Sequence, residues 1–156
     1  MKEPAPEGAG SDERRMQIDS GTRSGRMRPD APRVRVLLAD DMADLRLLLR
    51  LCLEADGRFE IAGEAADGIE AMRLVLKERP DAVILDLGMP RMDGLEVMSE
   101  IRRRSPRTKI LVLSAFGGTL MARPALERGA AAYVEKGTDL GAVAERLAGV
   151  CGLTAA

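Results

Sequence analysis

Ala82-Val83-Ile84-Leu85-Asp86-Leu87-Gly88-Met89-Pro90-Arg91-Met92-Asp93-Gly94 decides how this chain folds. It opens with four consecutive apolar residues, two of them β-branched, which read as a central strand buried on both faces. A carboxylate follows at once, and at the end of a buried strand its desolvation needs compensation. Outward from here, apolar runs alternate with helical periods. Val34–Ala39 reads as a first buried strand, and residues 42–55 carry Leu45, Leu48, Leu49 and Cys52 at helical spacing. Phe59–Glu64 alternates loosely, as a strand near the sheet edge would. Residues 68–78 carry Ile69, Met72, Val75 and Leu76 on a helix stopped by Pro80. Residues 94–103 set Leu95, Met98 and Ile101 on one helical face, and Lys109–Leu113 is a further buried strand. A helix near 120–128, a strand at Ala131–Glu135 and a helix from Asp139 to Val150 complete the series. Near-continuous apolar strands separated by amphipathic helices predict an α/β fold, a parallel five-stranded sheet covered on both faces.

Composition narrows the chemistry. The chain has 156 residues, room for one ordinary domain. With 24 Lys and Arg against 25 Asp and Glu, bulk charge gives no reason to bind DNA or an anionic membrane. Aromatics are 2% of residues, too few for a base-stacking platform. There is no histidine, which excludes imidazole catalysis and His-ligated metals. Cys52 and Cys151 are too few for a cysteine cluster or a disulfide framework. No apolar run is long enough to span a bilayer, and no signal-peptide core is visible, so a cytoplasmic location is expected. Residues 1–32 hold four Pro and four Gly, no Leu or Val, and six basic against six acidic residues. Such a segment is expected to be a disordered N-terminal extension before a domain at 33–156.

In open α/β sheets ligands bind beyond the carboxyl ends of the strands. Asp40 and Asp41 follow the first strand, Asp86 the third, Ser114 the fourth, and Lys136 comes at the end of the fifth. Three close carboxylates repel one another unless a cation sits among them. Oxygen ligands without His or Cys suit a hard ion, above all Mg²⁺. Taken singly, each residue has a plainer reading. Asp41 suits the N-cap of the first helix, Ser114 a turn hydroxyl, and Lys136 a solvated surface cation. Their shared place at the ends of four strands favours a site.

These residues carry a resemblance. Val36-Leu37-Leu38-Ala39-Asp40-Asp41, Ile84–Gly94 with its Asp-x-x-Met-Pro-x-x-Asp-Gly pattern, Val112-Leu113-Ser114-Ala115 and Gly129–Lys136 resemble the receiver domain of two-component response regulators. The likeness covers about residues 33–150. It implies a flavodoxin-like, doubly wound sheet in strand order 2-1-3-4-5. It implies Asp86 as phosphoacceptor, taking a phosphoryl group from a histidine kinase or phosphotransfer protein. Mg²⁺ would be held by Asp41, Asp86 and the backbone carbonyl of Gly88, with Asp40 acting directly or through water. Lys136 and the Ser114 hydroxyl would take the remaining phosphoryl oxygens. Ser114 and Tyr133 would form the switch, the loop after Ser114 moving so that Tyr133 rotates toward the core. The chain would catalyse only its own phosphorylation and dephosphorylation.

Departures from that family pattern are specific. Gly137 stands where most receivers have Pro, a variant seen in the branch fused to helix-turn-helix domains. No such domain follows before Ala156, so the expected output is contact with a downstream protein rather than direct contact with nucleic acid, or else runs through a missing effector. Pro124 falls in the fourth helix, which is therefore expected to start near Ala122 or Arg123, with Phe116–Met121 looser. Leu47 and Leu51 lie off the apolar stripe of the first helix and form a candidate docking face for a kinase or a second copy. Two other readings are weaker. A haloacid-dehalogenase-type phosphatase needs an acid where Gly88 stands, and a phosphate-independent interaction module would not need the full acceptor set.

Overall fold

The computed structural model describes residues 32–115 and 118–153; all of the expected N-terminal extension, residues 1–32, except its last residue lies outside them, as do 116 and 117. Five strands form one parallel sheet: β1 (Val34–Ala39), β2 (Phe59–Ala65), β3 (Ala82–Leu85), β4 (Lys109–Ser114) and β5 (Ala132–Glu135). Their order is β2-β1-β3-β4-β5, the flavodoxin-like arrangement expected. The helices are α1 (Ala43–Asp56), α2 (Gly68–Glu78), α3 (Gly94–Arg104), α4 (Gly118–Glu127) and α5 (Leu140–Val150). No helix among the described residues is long and apolar enough to cross a membrane.

Alternation along the strands divides the core in two. Leu37, Val83, Leu85, Ile110 and Val112 meet Met72, Val75, Val97, Met98 and Ile101 from α2 and α3, and Ala125 from α4. Val36, Leu38, Ile84, Leu111 and Leu113 meet Leu49 and Leu53 of α1, and Val143 and Leu147 of α5. Burying a Leu, Ile or Val side chain contributes about 1.5–3 kcal/mol, so these two layers dominate the stability.

Several local expectations are corrected. On α1, Leu48 is exposed and Leu53 takes its place in the core; on α2, Ile69 is exposed and Ala71 is buried. Helical period fixes the spacing of a stripe, but its phase is set by the sheet it meets. The loose alternation of β2 has a structural cause. Val36 pairs with Ile61 but Leu37 with Gly63, so Ala62 is an extra residue. This bulge keeps Phe59, Ile61 and then Glu64 toward α1. The fourth helix begins at Gly118, earlier than Ala122 or Arg123, and Pro124 lies inside it. The proline has no amide to donate to the Leu120 carbonyl one turn back. Packing of fully buried Ala125 holds the helix in place.

Glu64 ties the sheet edge to α1 by accepting from Arg46 Nε at 2.9 Å and from both Nε and Nη2 of Arg50. Burial pushes its carboxyl up, but the two guanidinium groups outweigh that and hold it below the usual glutamate range. The stabilisation is therefore present above the ordinary glutamate value and lost as pH falls through the depressed one. Glu64→Gln is expected to lose about 1 kcal/mol at pH 7. In urea melts that gap should close in acid; a gap independent of pH would contradict the pairing.

Candidate functional site

Backbone hydrogen bonds run the ladders one residue past the strands and seat the charged groups. Asp40 N donates to Ala65 O at 3.0 Å, Asp86 N to Ala39 O at 2.9 Å, and Lys136 N to Ser114 O at 2.8 Å. The register Ala39↔Leu85, Leu85↔Val112 and Ser114↔Glu135 brings Asp40, Asp86, Ser114 and Lys136 to one rim. Asp40, Asp86 and Ser114 are buried, whereas Asp41 is exposed.

Carboxylate oxygens of Asp40, Asp41 and Asp86 all lie within 4.8 Å of one another. Lys136 Nζ reaches Asp40 Oδ2 at 2.9 Å and Asp86 Oδ2 at 3.3 Å. Asp40 Oδ1 accepts from Met42 N at 2.8 Å, and Asp86 Oδ1 from Gly88 N at 3.1 Å. Asp41 does not cap α1: the N-cap is Met42, which makes no side-chain capping bond.

Burial raises the Asp40 carboxyl; the Met42 amide and the Lys136 ammonium lower it, the Asp86 charge adds to the rise, and the net shift is upward. Lys136 also moves upward, because its bonds and charge contacts with Asp40 and Asp86 outweigh the opposing effect of burial. One ammonium thus leaves Asp40 short of positive charge. A divalent cation on the same oxygens would supply it, and an all-oxygen donor set fits a hard ion such as Mg²⁺.

The loop from β3 to α3 is clamped rather than free. Leu87 and Met89 are buried, and Asp93 caps α3 by accepting from Glu96 N at 3.0 Å. Gly94 N donates to Leu87 O at 3.2 Å and Gly68 N to Pro90 O at 3.3 Å. A Cβ at Gly94 would lie 2.5 Å from Leu87 Cα, and one at Gly68 would lie 2.0 Å from Met92 O. Gly68 is a site-supporting residue that no local pattern marks, since its reason is a contact with a loop more than twenty residues on. Asp67 caps α2 in the same way as Asp93 caps α3, accepting from Glu70 N at 2.8 Å. Gly137 has φ +98°, which proline's ring cannot reach, so the departure after Lys136 has a backbone cause. Tyr133 is half-buried against the core layer that includes α3 and pairs with Val112 in the register.

A family model described as the response regulator receiver domain matches residues 36–148. The chain belongs to that family. Among curated relatives, the receiver is 38% identical over 114 residues to the transcriptional regulatory protein LiaR of Bacillus subtilis, covering 73% of this chain and 54% of LiaR. It spans about half the length of the first curated relatives it matches. Its fold matches a DNA-binding response regulator of the LuxR family from Staphylococcus aureus with TM-score 0.72 and 30% identity, over 76% of this chain and 98% of that one. It also matches a chain of the CheX–CheY–BeF3–Mg²⁺ complex from Borrelia burgdorferi, with TM-score 0.70 and 29% identity, over 75% and 88% of the two chains. Receiver domains bind Mg²⁺ through an acidic pocket, and this chain has an acidic cluster in Asp40, Asp41 and Asp86.

Proposed function

We propose that this receiver accepts a phosphoryl group on Asp86 from a histidine kinase or phosphotransfer protein and thereby changes a protein-interaction face. The observation that carries the reading is the Lys136 ammonium lodged between Asp40 and Asp86 beside a third carboxylate. In the transfer, an Asp86 carboxylate oxygen forms the new P–O bond. The bond from phosphorus to the donor's imidazole nitrogen breaks, and that nitrogen keeps the electron pair. Asp41, Asp86 and the Gly88 carbonyl would hold Mg²⁺, with Asp40 beside it. When bound, the ion neutralises charge on the phosphoryl oxygens. Lys136 swings from the carboxylates to one phosphoryl oxygen, and the Ser114 hydroxyl donates to another. The BeF3 and Mg²⁺ named in the Borrelia complex support this chemistry for the fold.

Ser114 drawn inward would move the following loop and let Tyr133 turn further into the core. The phosphoryl group shifts this equilibrium only because it binds one arrangement better. Incubation with acetyl phosphate and Mg²⁺ should add one phosphoryl group per chain. No incorporation, under conditions that label other receivers, would sink the reading.

Leu47, Leu48 and Leu51 form an exposed apolar patch on α1, which supports a docking face there for the phosphodonor or a second copy. The double variant Leu47→Glu/Leu51→Glu should slow transfer from a kinase while leaving acetyl phosphate labelling intact. Unchanged kinase transfer together with unchanged mass by light scattering would retire that face.

A further inference from the structure

Met42 occupies the N-cap of α1, where Ser, Thr, Asp or Asn would serve the helix better. Its side chain is instead turned to the rim. Met42 Sδ lies 3.5 Å from Lys136 Nζ and accepts from it, while its own amide is pinned to Asp40. Met42 is also 52% exposed. The other described methionines are shielded: Met72, Met89 and Met98 are buried, and Met92 and Met121 are partly buried against the core. The most exposed of the described methionines therefore touches the cation that meets the proposed acceptor carboxylate.

We propose that Met42 is an oxidation site through which peroxide slows the chemistry at Asp86; this rests on the acceptor reading above. The sulfur lone pair attacks one oxygen of hydrogen peroxide. The O–O bond breaks, an S–O bond forms, and the departing oxygen leaves as water after a proton shift. Sulfur gives up two electrons and the peroxide takes them. The product sulfoxide places a polar oxygen, a much better acceptor than thioether sulfur, beside the Lys136 ammonium. That ammonium has three N–H donors, already shared among Asp40, Asp86 and Met42. A sulfoxide holds it where the incoming phosphoryl oxygen needs it. Cys52 and Cys151 compete weakly for peroxide, because burial pushes both thiols up and leaves little thiolate. Methionine sulfoxide is returned to the thioether by reductases, so the brake is reversible.

The test treats the full chain with graded hydrogen peroxide, reads oxygen uptake by peptide mass spectrometry, and follows labelling by acetyl phosphate with Mg²⁺. Met42 should gain oxygen before Met92 and Met121. Labelling should slow roughly tenfold as Met42 converts, the scale of one weakened hydrogen bond to a charged group. The rate of Met42→Leu should not change with peroxide, and Met42→Gln should be slow without it. The proposal falls if Met92 or Met121 oxidises first, if chains carrying Met42 sulfoxide label at the untreated rate, or if Met42→Leu stays peroxide-sensitive. An untreated chain that takes no label would instead overturn the Asp86 reading. In that case the order of oxidation, and a drop in acetylation of the Lys136 amine by an acylating reagent, would still decide for or against the contact.

Discussion

Asp86→Asn should reduce incorporation from acetyl phosphate to background, a loss of roughly a thousandfold or more, because the reacting nucleophile itself is removed. An amide oxygen is neutral and far weaker toward phosphorus. It also offers less to a divalent ion and to the Lys136 ammonium that Asp86 now meets at 3.3 Å. The substitution nearly preserves shape, so the fold should survive. Asp40, Asp41 and Asp86 crowd their oxygens within 4.8 Å, and removing one negative charge relieves repulsion. The variant should therefore melt no lower than the parent in the absence of Mg²⁺. Labelling and melting measured on the same preparation separate lost chemistry from lost structure. A stable Asp86→Asn chain that still labels at the parent rate would move the acceptor elsewhere.

Gly94→Ala is the second large effect, and its sign runs against helix propensity. Alanine inside a helix usually gains about 1 kcal/mol over glycine. At Gly94 the added Cβ would stand 2.5 Å from Leu87 Cα, 2.7 Å from Asp86 O and 2.9 Å from Leu87 Cδ2. Two of those atoms are backbone, so no rotamer change makes room. Overpacking of this kind costs about 1–3 kcal/mol, occasionally more, and the net loss should be about 2 kcal/mol. The clash also pushes on the Asp86 carbonyl, so labelling should slow in chains that remain folded. Gly149→Ala is the matched control. It sits in α5 with nothing within 4 Å of an added Cβ, and it should gain about 0.5–1 kcal/mol. Denaturant midpoints would read both. Equal stability of Gly94→Ala and the parent would show that α3 does not press on the loop as described.

Much of this molecule was settled by its linear order of residues. Apolar runs ending in Asp40, Asp86 and Ser114, each followed by a helical period, fix a parallel sheet with polar groups at its carboxyl rim. Those features are local, and a strand's exit point is set by where its apolar run stops. The tertiary structure alone decided what depends on two distant stretches meeting. It turned α1 so that Leu53 rather than Leu48 entered the core, and it placed the bulge at Ala62 that keeps Glu64 against Arg46 and Arg50. It let α4 run through Pro124 because Ala125 is packed from the far side. It put Lys136 between two carboxylates and Met42 against Lys136. Periodicity carries spacing but not phase, and a side chain's partner in space leaves no mark in its own neighbourhood along the chain.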